Sequence, residues 1–254
     1  MVGDLDWHSL EVKYPADVRV FQNPDAVAHG AAALLAETMA QSTGAVAVAL
    51  AGGGTPTACY RALSGEAKYK DTFPWSRVHW FFGDERQVPP ESTESNYHMA
   101  KESLFDPASV PLNHIHRVQA ELPEASEAAA RYHEELLEYR QAHSTDAFDV
   151  MLLGMGDDGH TASLFPHTEV LKETGPGYRS VWVPRLDTWR MTVAPLELQK
   201  AKQVIVMITG VGKALRLAEI FNGLVKPEAT PVQLLFQREK PAIWLLDEHA
   251  AKLI

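Results

Sequence analysis

The chain has 254 residues, of which 46% are hydrophobic and 22% are charged, and its formal net charge is −10 at pH 7. This composition is typical of an ordered globular protein, and the acidic balance argues against a protein that coats nucleic acid or an anionic membrane, because both need a basic face. The single cysteine, Cys59, excludes an internal disulfide and a thiolate metal cage. The first fourteen residues contain no apolar signal segment, so we expect a cytoplasmic protein.

Short, continuous apolar runs alternate with helical patterns along the chain, which is typical of strands covered on both faces of a parallel sheet. The first strand is predicted at 18–21, and Asn23-Pro24 begins a helix that extends to about residue 41. The other predicted strands are 45–50, 78–83, 148–156, 203–210 and 242–246, and the other predicted helices are 55–63, 96–104, 123–143 and 212–222. The pattern predicts one doubly wound α/β domain over residues 1–254, with a mainly parallel sheet and helices on both faces.

Three glycines, Gly52, Gly53 and Gly54, follow the strand at 45–50 in the segment LAGGGTP. The next two residues, Thr55-Pro56, match an N-cap and a first helical residue, so the helix is predicted to begin there. Backbone N–H groups at a glycine turn and a helix N-terminus bind anions, which favours a phosphate site. The alternative is a tight connection with nothing bound. The segment matches neither the nucleoside triphosphate loop nor the dinucleotide fingerprint.

The strand at 78–83 ends in GDERQVP, which places Asp84, Glu85 and Arg86 at a sheet edge where ligands bind. Arg86 is a candidate ligand contact, and Asp84 is a candidate substrate-binding residue beside it. The alternative is an ion pair between Arg86 and either carboxylate that only ties down the loop.

The segment GMGDDGHTASLFP delivers His160 to the same edge, with Asp158 two residues and Asp157 three residues before it. A histidine held by a nearby carboxylate is suited to proton transfer, although a lone histidine more often has a structural role.

A fourth segment runs from Arg190 through the strand at 203–210 to GVGK, which places Lys213 in the first turn of a helix. A lysine is unfavourable there unless it shares an anion with the helix N-terminus. Arg190 is a second candidate for that anion, with a solvated surface arginine as the alternative.

These segments together resemble the 6-phosphogluconolactonases of the glucosamine-6-phosphate isomerase/6-phosphogluconolactonase family. The resemblance rests on LAGGGTP, GDERQVP with SNY beyond it, LLGMGDDGHTASLFP, the RMT triplet and GVGKA, in that order from about residue 18 to 246. It implies a Rossmann-like fold shared with glucosamine-6-phosphate deaminases and ribose-5-phosphate isomerases. It also implies hydrolysis of 6-phospho-D-glucono-1,5-lactone, the second step of the oxidative pentose phosphate pathway, without a metal or organic cofactor.

The resemblance also implies roles for individual residues. His160 matches the family's proton-transfer residue and Arg86 a substrate contact, whereas the sugar-phosphate contacts are matched by Gly53, Gly54, Thr55 and Lys213. The segment VPRLDTWRMTV departs from the family pattern by an extra arginine and a tryptophan, so either Arg185 or Arg190 is the ligand contact. The implied partner is a small sugar-phosphate lactone, with no nucleic acid or membrane, and the protein is expected to be a monomer or a homodimer.

The residue types predict a simple mechanism. A δ-lactone is already activated toward water, so His160, oriented by Asp158 or a backbone group, is expected to deprotonate a water that attacks C1. Arg86 then offsets charge on the carbonyl oxygen or holds a hydroxyl.

Two rival functions and one metal site are weighed against this mechanism. A related deaminase needs a glutamate five residues after the histidine, where this chain has Phe165. A noncatalytic sugar-phosphate sensor usually carries a DNA-binding segment, which this chain lacks. His114 and His116 form an H-x-H pair without an apparent third ligand, so their alternation is expected to reflect strand geometry instead of a zinc site.

Overall fold

The computed structural model describes residues 6–254, and within them seven strands form one sheet in the order β1-β2-β10-β9-β6-β3-β4. All neighbouring strands in it are parallel except β1 and β2. The strands in chain order are β1 Trp7–Leu10, β2 Asp17–Phe21, β3 Val46–Leu50, β4 Val78–Phe82, β5 Asp84–Arg86, β6 Val150–Leu153, β7 Tyr178–Val183, β8 Thr188–Val193, β9 Gln203–Ile208 and β10 Ile243–Asp247. The helices are α1 Pro24–Gln41, α2 Gly54–Gly65, α3 Ala67–Lys70, α4 Asn96–Ala100, α5 Asp106–Ala108, α6 Ala125–His143, α7 Pro195–Lys200 and α8 Ala214–Asn222.

The central strands are buried on both faces, which explains their continuous apolar sequences. Val46, Val48 and Leu50 of β3 pack into one apolar cluster with residues of α1 and α2. Ala47 and Ala49 of the same strand pack into a second cluster with residues of α6, α7 and α8. Helices therefore cover both faces, and the predicted doubly wound, mainly parallel α/β fold is confirmed.

Local signals in the sequence explain several element boundaries. Asn23 caps α1, because its side-chain oxygen accepts a hydrogen bond from the backbone N–H of Ala26 at 2.9 Å. Cys59 is fully buried on α2, as expected of a structural cysteine, and burial raises the pKa of its thiol to about 12. Across residues 6–254, no helix has both the length and the apolar character that a membrane span requires.

A second sheet, with strand order β5-β8-β7 and antiparallel pairing, is not predicted from the sequence. Strand β5 has only three residues, and β7 and β8 mix buried with exposed positions, so none of them forms the continuous apolar run that identifies the central strands. This sheet follows β4 directly, since only Gly83 separates β4 from β5. It therefore extends the edge at which the site was predicted.

The predicted start of α2 is wrong by one residue. The helix begins at Gly54, its N-cap is Gly53 with φ +106°, and no side chain caps it. Glycine adopts a positive φ without strain, whereas a residue with a Cβ atom does not. The helix therefore begins directly after Gly53 instead of at the threonine. The Thr55 hydroxyl is then free to contact the Thr209 hydroxyl at 2.9 Å, beyond the end of β9.

Candidate active site

A cavity of about 310 Å³ lies beyond the carboxyl ends of β3, β6 and β9, where ligands bind in open α/β sheets. We call it the glycine-loop cavity. Its lining brings together most of the predicted site residues, namely Gly53, Gly54, Thr55, Asp84, Arg86, His160 and Lys213. Asp158 and Arg190, which were also predicted for the site, lie outside this lining.

The glycine loop and the start of α2 form one wall of the cavity. The first N–H groups of a helix have no partner within the helix, so the start of α2 presents donors toward an anion. The Gly53 carbonyl is occupied, since it accepts hydrogen bonds from the Thr57 N–H at 3.1 Å and the Thr57 hydroxyl at 2.8 Å. This wall offers hydrogen-bond donors and the positive end of a helix dipole, which suits a phosphate group.

His160 and Asp158 form a tightly coupled pair. The Nδ1 atom of His160 lies 2.6 Å from Oδ1 of Asp158, which also accepts the His160 backbone N–H at 3.1 Å. Burial alone raises the pKa of Asp158, but the hydrogen bonds from His160 outweigh it, and the pKa is lowered overall. An ionised carboxylate only accepts hydrogen bonds, so Nδ1 carries the proton and Nε2 is left as the basic nitrogen.

The histidine ring fits because Gly156 has no side chain. A Cβ atom at Gly156 would lie 2.0 Å from Cε1 and 2.1 Å from Nδ1 of His160, far closer than atoms approach without bonding. On its other side the ring stacks on Phe165, with ring centroids 4.1 Å apart. Phe165, five residues after the histidine, is buried.

Strand β5 holds its three charged residues in different ways. Asp84 accepts a hydrogen bond from the Ser163 hydroxyl at 2.6 Å, and Arg86 donates to the Glu94 carbonyl oxygen. Neither Arg86 ion pair that the sequence left open is formed, either with Asp84 or with Glu85. Arg86 is one of the residues that line the cavity.

Glu85 has a structural role that was not predicted from the sequence. It is buried, and its carboxylate accepts the backbone N–H groups of Arg86, Asn96 and Tyr97, each at 2.8 Å. Burial raises its pKa despite these hydrogen bonds. Glu85 thereby fixes the start of α4 against β5, which holds the loop between them in place. A signal in the sequence was available, because a glutamate between two candidate ligand residues on a strand must point the other way.

The basic residues near the cavity differ in the charged groups that lie next to them. Arg190 of β8 lies directly opposite Arg86 of β5, and its pKa is lowered by burial and by the positive charge of Arg86. Lys213 stands in a short 3₁₀ turn before α8, and its ammonium group is paired with Asp157, whose side chain is 86% exposed. Two adjacent guanidinium groups and a lysine held only by a surface carboxylate both favour binding of an anion.

His114 and His116 were expected to alternate on a strand, and this is wrong. His114 ends a 3₁₀ turn, and only Ile115 between them forms an isolated bridge, with Trp80. Both rings contact that of His79 on β4. The ring centroids of His79 and His114 lie 4.3 Å apart, and Nδ1 of His79 lies 3.0 Å from Nε2 of His116. Among residues 6–254, no group of three or more His, Cys, Asp or Glu side chains is arranged to hold a metal ion.

Comparison with known proteins gives consistent matches over most of the chain. Residues 22–244 match the family model described as glucosamine-6-phosphate isomerases/6-phosphogluconolactonase. A 6-phosphogluconolactonase of Synechocystis sp. is 36% identical over 208 residues, which cover 81% of this chain and 83% of that protein. One from Mycobacterium leprae is 34% identical over 94% of this chain and 98% of its own length. The solved structure of a 6-phosphogluconolactonase from Trypanosoma brucei superposes with a TM-score of 0.81 at 28% identity, over 94% of this chain and 99% of that one.

Proposed function

Because the chain belongs to the family of glucosamine-6-phosphate isomerases and 6-phosphogluconolactonases, we propose that it hydrolyses 6-phospho-D-glucono-1,5-lactone to 6-phospho-D-gluconate. This reaction is the second step of the oxidative pentose phosphate pathway. The observation that carries the proposal is the His160–Asp158 pair at the glycine-loop cavity, with the buried ring of Phe165 packed against the histidine. The pair supplies a base for water, and Phe165 leaves no carboxylate at the position that a deaminase needs.

The phosphate of the substrate binds at the glycine loop. Gly53 and Gly54 supply the backbone approach, Thr55 supplies a hydroxyl, and Lys213 supplies the positive charge. Lys213 exchanges Asp157 for the phosphate, since an exposed ion pair contributes little to stability.

Arg86 also lines the cavity and contacts the lactone carbonyl oxygen or a sugar hydroxyl. Arg190 supports it as a second positive group on the neighbouring strand, and negative charge from the substrate relieves the repulsion between the two guanidinium groups. Asp84, held by Ser163, accepts a hydrogen bond from a substrate hydroxyl. A positive group at a developing oxyanion is the kind of contact that stabilises a transition state.

His160 acts as a general base. Its Nε2 takes a proton from a water molecule while the water oxygen forms a bond to C1 of the lactone. The tetrahedral intermediate then breaks the bond between C1 and the ring oxygen, and that oxygen receives the proton from Nε2 as it leaves. Asp158 holds the imidazole in the required tautomer and stabilises its charged form. General-base catalysis contributes about 10² to 10⁴ in rate, which is sufficient for an activated ester.

The direct test is the rate of acid release from freshly prepared lactone near neutral pH, corrected for spontaneous hydrolysis. We expect the wild-type chain to exceed the blank greatly and His160→Gln to lose about 10² to 10⁴ in kcat with little change in KM. The matched control is His249→Gln, because His249 is exposed and does not line the glycine-loop cavity. Wild-type activity in His160→Gln would overturn the assignment of the base. Release of ammonia from glucosamine 6-phosphate, with no lactone hydrolysis, would overturn the proposed reaction.

We propose also that the enzyme works in the cytoplasm as a monomer or a homodimer, that residues 1–254 form a single domain, and that catalysis needs no metal or organic cofactor. Dialysis against a strong chelator is expected to leave kcat unchanged. A loss of activity that added zinc or magnesium restores would contradict this. Sedimentation of the purified chain distinguishes the two assembly states, and a single cooperative unfolding transition is expected of one domain.

A further inference from the structure

Four side chains, one of which is the proposed base, form a closed ring of contacts. His160 is hydrogen bonded to Asp158, and the other carboxylate oxygen of Asp158 lies 2.9 Å from a guanidinium nitrogen of Arg185. That guanidinium lies over the ring of Phe165 at 5.4 Å, and Phe165 stacks on His160 at 4.1 Å. Each member therefore contacts the next, and Arg185 is the member most remote from the histidine.

Arg185 contacts the His160–Asp158 pair from outside the glycine-loop cavity. It lies in the 3₁₀ turn Pro184–Leu186 between β7 and β8, and it does not line the glycine-loop cavity. Together with Asp158 and Phe165 it lines a separate, mostly apolar cavity of about 700 Å³ beside Trp182 and Trp189. Its contact with the pair is thus made from outside the glycine-loop cavity, in which the substrate is proposed to bind.

The Arg185 contact satisfies an oxygen that has no other partner. Oδ2 of Asp158 is buried and receives no hydrogen bond from any described residue, so the ion pair with Arg185 is the interaction that compensates its burial. An unpaired, buried carboxylate oxygen is costly, and a carboxylate relieves that cost by rotating or by taking up a proton. Either change alters the hydrogen bond that Oδ1 makes with His160.

We propose that Arg185 is a positioning residue for the hydrolytic reaction, which acts through Asp158 and Phe165 to fix the tautomer and the orientation of His160. The inference rests on the proposed function of His160 as the base. It resolves the alternative left by the sequence, in which Arg185 or Arg190 holds the phosphate, because Arg185 is committed to Asp158. Arg185 belongs to the segment VPRLDTWRMTV, which departs from the family pattern by an extra arginine and a tryptophan.

Two substitutions separate the roles that Arg185 is able to play. Arg185→Met keeps most of the aliphatic stem over Phe165 but removes the charge, whereas Arg185→Lys keeps the charge. We expect kcat of Arg185→Met to fall about tenfold with KM changed less than twofold, because a small displacement of a catalytic group costs up to about 10² in rate. Arg185→Lys is expected to recover part of the loss. Arg131→Met is the matched control, since Arg131 forms an exposed ion pair with Glu127 away from the site.

The kinetic result distinguishes positioning from substrate binding. If Arg185 holds the phosphate, KM rises about tenfold in Arg185→Met while kcat is unchanged, and the proposal is wrong. If both constants stay at wild-type values, the contact has no role in the reaction and the proposal is equally wrong. Thermal unfolding of each variant checks that the chain has folded, and Arg185→Lys keeps the test decisive if Arg185→Met does not fold.

A measurement without turnover tests the inference independently of the proposed reaction. In ¹⁵N-histidine-labelled protein, the ring nitrogen signals of His160, identified by their loss in His160→Gln, report the tautomer. We expect one tautomer with the proton on Nδ1 in the wild type and a mixture of tautomers in Arg185→Met. An unchanged single tautomer in Arg185→Met would contradict the inference. A wild-type chain that hydrolyses no lactone would refute the proposed function, and the tautomer result would still decide whether Arg185 positions His160.

Discussion

Protonation of a partly buried histidine cluster is expected to destabilise the fold as the pH falls from 7 to 5. Nδ1 of His79 on β4 lies 3.0 Å from Nε2 of His116, and the His79 ring packs within about 5 Å of three other rings, those of His114, Tyr139 and His143. Burial and the three neighbouring histidines lower the pKa of His79 from 6.5 to about 4. The one carboxylate in the cluster, Glu135, contacts His116 at 2.7 Å and not His79.

The sign and size of the effect follow from linkage. The pKa of His79 is lower in the folded state, so the unfolded chain binds more protons between pH 6.5 and about 4, and stability falls as the pH falls through this window. A shift of this size corresponds to about 3 kcal/mol in full, of which about 2 kcal/mol is lost between pH 7 and pH 5. The ring is only partly buried, so solvent screening reduces the expected loss to about 1 to 2 kcal/mol.

The assay is urea unfolding at pH 7 and pH 5 for the wild type, His79→Gln and the exposed-residue control His249→Gln. Glutamine does not titrate, and its amide still reaches a hydrogen bond with His116. We expect the free energy of unfolding of His79→Gln to fall by about 1 to 2 kcal/mol less than that of the wild type between the two pH values. If His79→Gln and the wild type lose the same stability, the cluster does not hold His79 neutral and the reasoning is refuted.

Three further changes test the site and its support. Asp157→Asn releases Lys213 from an exposed ion pair worth about 0.2 to 1 kcal/mol, so KM for the lactone is expected to fall by about twofold to fivefold, as measured by steady-state kinetics. Gly156→Ala places a methyl group against the ring of His160, so kcat is expected to fall at least about tenfold while circular dichroism shows a folded chain. A wild-type value of kcat in this variant would mean that the ring has room to move. Glu85→Gln loses at least one charge-assisted hydrogen bond at the start of α4, which is expected to cost about 1 to 3 kcal/mol in urea unfolding, and an unchanged midpoint would contradict its role.

The central sheet was predictable from the sequence because its strands carry the information locally. A strand buried on both faces must be apolar at every position, and 45–50 and 204–208 show this without reference to the rest of the chain. The carboxyl ends of such strands share one edge, which is why the glycine loop, His160 and Lys213 were predicted to lie at the same edge of the sheet. Asp158 was predicted for a different local reason, because it lies only two residues from the histidine that it contacts.

The second sheet was not predictable, and neither were the contacts that depend on it. Its strands are short or mixed in burial, and β5 pairs with β8 across about a hundred residues of chain. Sequence spacing does not report a register at that distance. The contact of Arg185 with Asp158 and the position of Arg190 opposite Arg86 both follow from this pairing, so the sequence left Arg185 and Arg190 as equal candidates for the ligand.

The register of β5 and β8 gives the two arginines different tasks. Arg190 is paired with Arg86 because both side chains leave the same face of the second sheet at directly opposite positions. Two like charges at such a pair are destabilising unless something negative lies between or beside them. Arg185, by contrast, forms an ion pair with the carboxylate of Asp158. The carboxylates of Asp84, Glu94 and Glu85 offset part of this repulsion, and we expect an anionic substrate to offset more of it. A shift of the register by one residue would turn Arg190 to the other face and remove the repulsion altogether.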